Sequence, residues 1–188
     1  MPDFHPDDLA PGLFLIAPPA MDDPNFARSV VLLCAHDVDG SFGLVLNDPT
    51  GSTVALTSAT GRLVDVAVRR GGPVGGDTLH VIHGRPDLLT DAERLAEGLY
   101  WGGTLADLGP MLDDGPPDPA AVRFFLGYAG WGPGQLAAEL LDGGWLLHPA
   151  SAELVFGSTS VGLWGTLLRE MGEPYRQFAH YPVNPRLN

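Results

Sequence analysis

The sequence contains no lysine; all ten of its basic residues are arginine. This excludes Schiff-base chemistry and any phosphate loop built on a lysine. Cysteine occurs once, as Cys34, so neither an internal disulfide nor a four-cysteine zinc site can form. Long apolar runs are also missing. The longest, Leu13–Met21, is interrupted by Pro18-Pro19 and falls well short of the roughly 18 residues a membrane helix needs. Met1–Asp8 is acidic and proline-bearing, whereas a secretory leader begins basic and continues apolar. The expectation is a cytoplasmic protein with no membrane association. Positive charge is scarce overall, with a formal net charge of −13. Binding nucleic acid requires clustered basic groups, and Arg69-Arg70 is the only adjacent pair, so direct nucleic-acid binding is not expected. The acidity itself reads as solubility.

What is present fits a globular fold. A chain of 188 residues with 45% apolar content can bury one sizeable core. A single domain over 1–188 is expected, with a loosely packed N-terminal segment (1–11) and an extended C-terminal tail (175–188). The organising stretch is Ser29–Asn47. Two apolar runs flank Asp39-Gly40, a dipeptide that favours a tight hairpin turn. Val30–Leu33 is apolar at every position, which calls for a strand covered on both faces. Further strands are expected at Leu13–Ala17, Val64–Arg70, Leu79–His83, Leu99–Trp101, Val122–Tyr128 and Trp145–His148. Thr104-Leu-Ala-Asp107 has the form of a capping box opening a helix to about Leu112. Apolar spacing predicts helices at Gln135–Leu141 and Ser160–Met171. Thr53–Leu63 is read as a short helix between strands, and Asp87–Ala96 as a helix or a connecting loop. Gly71–Gly76, Asp113–Pro119 and Gly130–Gly134 read as loops or turns. The fold class is mixed α/β, a central mixed β-sheet with an antiparallel hairpin, flanked by helices.

Four blocks in order resemble the YqgE/AlgH family. They are Leu15–Val31; Cys34-Ala-His36 through Gly43-Leu-Val-Leu-Asn47; Gly71-Gly-Pro-Val74; and Gly127–Glu139 with Trp145. The resemblance runs from about residue 12 to 170. It implies a mixed α/β fold and a bacterial cytoplasmic protein without an assigned catalytic activity. It also carries a proposed role in regulating transcription of exopolysaccharide synthesis. Two positions depart from the family pattern: Ala35 stands where an acidic residue is usual, and Asp48 where a basic one is usual.

Candidate chemistry centres on a few residues. Cys34 and His36 are two apart on a strand and leave the same face, so a histidine-tuned thiol is one reading and an inert core cysteine the other. Arg28 can bind an anion or pair with Asp23. Asn47 can satisfy backbone groups or face a ligand. Gly72 lies in a glycine-rich loop able to approach a phosphate or simply to turn tightly. Gly134 and Gln135 open a helix whose N–H groups point outward, with Trp131 beside them as a pocket wall or core anchor. Glu139 reads as a solvated carboxylate. His36, Asp37 and Asp39 lack the later acidic residues of a calcium loop, and His80 and His83 point to opposite faces, so no metal is expected. No cofactor motif is present, and none is expected. The leading expectation is a non-enzymatic regulatory or binding protein of unassigned small-molecule or protein partner. Its groove would lie near the hairpin ends and the Trp131–Gln135 turn. The alternative is a thiol-based redox switch or enzyme using Cys34 with His36.

Overall fold

The computed structural model describes residues 5–157 and 162–180. Strands dominate it: β1 (Leu13–Ile16), β2 (Val30–Asp37), β3 (Gly40–Val45), β4 (Pro49–Thr57), β5 (Leu63–Arg70), β6 (Val74–His83), β7 (Ala92–Ala96), β8 (Leu99–Gly102), β9 (Val122–Trp131) and β10 (Leu146–Pro149). Helices α1 (Leu105–Met111), α2 (Gln135–Leu141) and α3 (Leu163–Glu170) are short. The strands form one sheet in the order β10-β1-β2-β3-β9-β6-β8-β7, and the β4–β5 hairpin joins β9 at the side. All pairs are antiparallel except β5 with β9, which makes the sheet mixed but largely antiparallel. The expectation of a sheet flanked by helices holds only loosely, because each helix covers no more than a local apolar patch.

β9 is the branch point. Its C-terminal residues Ala129–Trp131 pair with β3, its residues Phe124–Leu126 pair with β5, and β6 pairs along it as well. Strand β2 explains its own composition. Val30, Leu32 and Cys34 face one core with α3, while Val31 and Leu33 face a second core with α2. A strand buried on both faces has no polar positions to alternate with. A third cluster joins Val64, Val66 and Val68 of β5 to Leu108 and Leu112 at α1.

Several expectations need correcting. The hairpin turn is Val38-Asp39, with Asp37 and Gly40 as the last pair, one residue earlier than the Asp39-Gly40 motif implies. The carboxylate of Asp37 accepts from the backbone N–H groups of Asp39 and Gly40 and fixes the turn there. Thr53–Thr57 is strand, not helix. Val54 and Leu56 pack on the third cluster while Thr53, Ala55 and Thr57 face outward, the two-residue period of a half-buried strand. Ala92–Ala96 is also strand, closed onto β8 by the two-residue turn Glu97-Gly98. The Thr104 hydroxyl makes no cap hydrogen bond. Asp107 instead accepts from the backbone and the hydroxyl of Thr90, which lowers its carboxyl pKa below the ordinary value. β9 runs on to Trp131, so the turn before α2 is confined to Gly132–Gly134. α3 begins at Leu163; residues 160 and 161 of the expected helix lie outside the described residues. Tyr175–His180 is a 3-10 helix rather than extended chain, with Tyr175 and Phe178 packed against the first core. Residues 181–188 lie outside the described residues, and in the N-terminal segment Leu9 is buried in the second core.

Candidate functional site

The open end of the β2–β3 hairpin is closed by one side chain. Asn47 accepts from the N–H of Val30 through Oδ1 and donates to the carbonyl of Arg28 through Nδ2, both at 2.8 Å. This clamp holds Arg28 in the left-handed region at φ 61°, a conformation unusual outside glycine. The turn before it is fixed by the Asp23 carboxylate, which accepts from the N–H of Asn25. Asp23 and Arg28 therefore take different partners. The Arg28 guanidinium lies over the Trp164 ring, 5.0 Å from its centroid, and the Trp164 indole donates to the carbonyl of Ala17.

These groups border a cavity of about 420 Å³ between the start of β2, the end of β3 and α3. Arg28, Arg70 and Arg169 all line it, together with Ser29, Asn47 and Trp164. Arg70 is paired with Asp48, Nε to Oδ2 at 2.6 Å, and Arg169 donates to the hydroxyl of Thr166. Asp48 thus holds a positive side chain at the rim. The Ser29 hydroxyl is buried and has no hydrogen-bond partner among the described residues. Ser29, Asn47 and the three arginines give this cavity a polar lining.

The other candidate residues fall elsewhere. Cys34 is 2% exposed, and its Sγ lies 3.4 Å from the carbonyl of Leu32. His36 lies beyond a bulge between Leu33 and Ala35 and bonds the Ser41 hydroxyl across the hairpin at 2.7 Å. Burial pushes the Cys34 thiol well up from its ordinary pKa, only partly opposed by a backbone hydrogen bond at Leu44. The nucleophilic thiolate is therefore suppressed, not promoted. Native protein treated with iodoacetamide at about pH 8.5, the ordinary thiol pKa, is expected to stay unmodified and to react fully once unfolded in urea. Fast alkylation of the folded chain would revive the thiol reading.

Gly72 and its neighbour Gly71 press against the backbone of β9 rather than opening toward solvent. Trp131, Gln135 and Glu139 form a closed network. Glu139 accepts from the indoles of Trp131 and Trp145 and from the Gln135 amide, and Gln135 accepts from the N–H of Gly132. The Gln135 side chain thus folds back onto the turn before the helix, and Glu139 is a structural hub rather than a solvated residue. Sequence reasoning missed Ser29, Trp164 and Arg169. Trp164 reads as core from its helical spacing, and nothing local to Arg169 marks it. Among the described residues no group of three or more His, Cys, Asp or Glu side chains could hold a metal ion, and no helix is long and apolar enough to cross a membrane.

The profile of the AlgH-like family matches residues 14–176. The UPF0301 protein of Chlorobium luteolum is 40% identical over 180 residues, covering 96% of this chain and 95% of its own. That of Cytophaga hutchinsonii is 37% identical over 182 residues, covering 96% and 100%. The solution structure of the AlgH protein from Pseudomonas aeruginosa matches with a TM-score of 0.68 at 29% identity, covering 98% of this chain and 97% of that one. A crystal structure of a protein from Corynebacterium diphtheriae matches with a TM-score of 0.70 at 26% identity, covering 93% of each. With one profile spanning most of its length and relatives aligned almost end to end, this chain belongs to the AlgH-like family.

Proposed function

We propose that this protein is a non-enzymatic binding protein of the bacterial cytoplasm that takes a small phosphate-bearing anion in the cavity at the open end of the β2–β3 hairpin. Any regulatory effect on transcription would pass through a protein partner rather than through DNA. The observation that carries this reading is the gathering of Arg28, Arg70 and Arg169 around one cavity in a chain of net charge −13. Scarce positive charge concentrated at one concave site favours an anionic ligand, both in the encounter and in the bound state. Asn47 and Trp164 fix the pose of Arg28, so little side-chain freedom is lost on binding. Asp48 pairs with Arg70, one of the three arginines, and holds it at the rim of the cavity.

Pyrophosphate is the probe. A ligand that binds only the folded state at about 100 times its Kd stabilises by about 2.7 kcal/mol, which for a chain of this size raises Tm by roughly 5–10 °C. Arg28→Gln and Arg169→Gln are each expected to weaken binding about tenfold. The Trp164 indole resonance should move on titration. No rise in Tm with pyrophosphate, or a rise that both substitutions leave intact, would refute the assignment.

A further inference from the structure

Among the described residues three strands have an unpaired side: β10, β7 and, off the main path of the sheet, β4. Such a side offers its N–H and C=O groups to another chain, and proteins blunt it with short length, charge, proline or a bulge. β10 is four residues long and ends in Pro149. β7 carries Glu93 and Arg94 and is bulged between Arg94 and Ala96. The last six residues of β4 have none of these devices. Ser52–Thr57 holds no charge and no proline, and it keeps one register with β5 from end to end.

The same segment matches itself when reversed. Thr53-Val54-Ala55-Leu56-Thr57 reads threonine, branched aliphatic, alanine, branched aliphatic, threonine in either direction. Directly opposed residues of an antiparallel pair lie on one face and touch. A second β4 laid antiparallel with a two-fold axis at Ala55 therefore sets Thr53 opposite the partner's Thr57 and Val54 opposite the partner's Leu56, while the two Ala55 residues meet at the axis. Thr53, Ala55 and Thr57 are exposed, and Val54 and Leu56 are half-buried against the third apolar cluster. The pairing continues that apolar face across the axis. Charge does not prevent it. The net charge of −13 opposes self-association in general, but this seam is neutral. Asp65, opposite Ala55 on β5, stands three strand spacings from its counterpart. That is about 14 Å, beyond the screening length of about 8 Å at physiological salt.

We infer that the free edge of β4 is an interaction surface for a second copy of this chain, which joins it antiparallel about Ala55 and carries the sheet through a two-fold axis. A strand of another protein would have to supply both the neutral seam and the matching alternation, whereas a copy brings them with it. Five residues a side is well short of the roughly 20–30 of a standard interface, so the association is weak and depends on concentration. None of Thr53–Thr57 lines the arginine-bordered cavity, so the dimer and the anion site stand or fall separately.

The test is small-angle X-ray scattering of the full chain from roughly 20 μM to 1 mM at about 0.15 M salt, with amide NMR spectra recorded over the same dilution series. The scattering mass is expected to climb from monomer toward dimer, and the amides of Thr53–Thr57 should shift with it. Ala55→Asp, at an exposed position, puts two carboxylates face to face at the axis and should keep the chain monomeric throughout. Ala55→Lys should weaken the dimer less completely, because Asp65 beside it takes up part of the charge. An equimolar mixture of the two variants should dimerise again, since opposite charges meet at residue 55 only in this register. The inference is overturned if the wild-type chain stays monomeric over the whole range, if Ala55→Asp dimerises as well as wild type, or if the mixture stays monomeric. Should a variant fail to fold, the wild-type dilution series decides alone: shifts at Thr53–Thr57 support the seam, and shifts confined elsewhere overturn it.

Discussion

Replacing Gly72 by alanine is expected to destabilise the protein by about 4 kcal/mol, at the severe end of single substitutions. A Cβ on Gly72 would lie 2.1 Å from the carbonyl carbon of Tyr128 and 2.2 Å from its oxygen. The neighbouring positions are as tight. A Cβ on Gly71 would lie 2.2 Å from the carbonyl oxygen of Gly127, and one on Gly127 would lie 2.7 Å from that of Val74. All of these obstacles are backbone, so no rotamer change relieves them, and the strand must move instead. The movement would not stay local. Gly71 donates to Leu126 of β9 and accepts from Val45 of β3, so it ties together the strands that meet at the branch point. Next to it, Arg70 and Asp48 border the arginine-lined cavity. Gly72→Ala should therefore lower Tm by roughly 8–16 °C and loosen pyrophosphate binding along with it. Gly76→Ala is the control: no atom lies within 4 Å of its Cβ, and the change should be near neutral. Equal small effects from the two substitutions, measured by urea unfolding, would show that β9 has room to shift.

The same glycines mark where the sequence is readable and where it is not. Gly71–Gly76 announces a special backbone, but composition does not say whether the backbone approaches a phosphate or another strand. That depends on β9, some fifty residues later. Local patterns succeed where one element decides its own state. β2 is apolar throughout because both its faces are buried, and α2 begins and ends where its spacing and its glycines say. They fail where a partner decides. Thr53–Thr57 carries a two-residue period, but it becomes a strand only because β5 supplies the matching edge. The box at Thr104 stays open because Thr90, fourteen residues earlier, claims the Asp107 carboxylate. The candidate site shows the same division. Arg28 and Asn47 were legible because they flank the hairpin. Arg169 was not, since it arrives on α3 from the far end of the chain. Cys34 and His36 share a face in an ideal strand, but the bulge between Leu33 and Ala35 spoils the geometry that made them a pair.

Glu139 carries the second large effect, and it separates a structural hub from a solvated carboxylate. Its Oε2 accepts from two indoles, Trp131 at 2.9 Å and Trp145 at 2.8 Å, and its Oε1 accepts from Gln135 at 2.9 Å. Both tryptophans are buried and meet edge to face, with Phe26 against each of them. Glu139→Ala removes the acceptor and leaves two buried N–H groups unpaired, at about 1–3 kcal/mol each, so a total near 3 kcal/mol is expected. Glu139→Gln keeps a carbonyl oxygen where both indoles can reach it. Its amide must then face the Gln135 amide, which can turn its own oxygen toward it only by giving up the N–H of Gly132. One modest hydrogen bond is lost, about 1 kcal/mol. The ordering decides the matter: a solvated glutamate predicts that alanine and glutamine cost the same small amount, whereas the hub predicts that alanine costs several times more. The indole N–H resonances of Trp131 and Trp145 give an independent readout. They should shift strongly in the alanine variant and only slightly in the glutamine variant. If the ordering holds, the end of β9 and the start of β10 are fastened through one carboxylate, and the glycine turn before α2 serves that fastening rather than a ligand.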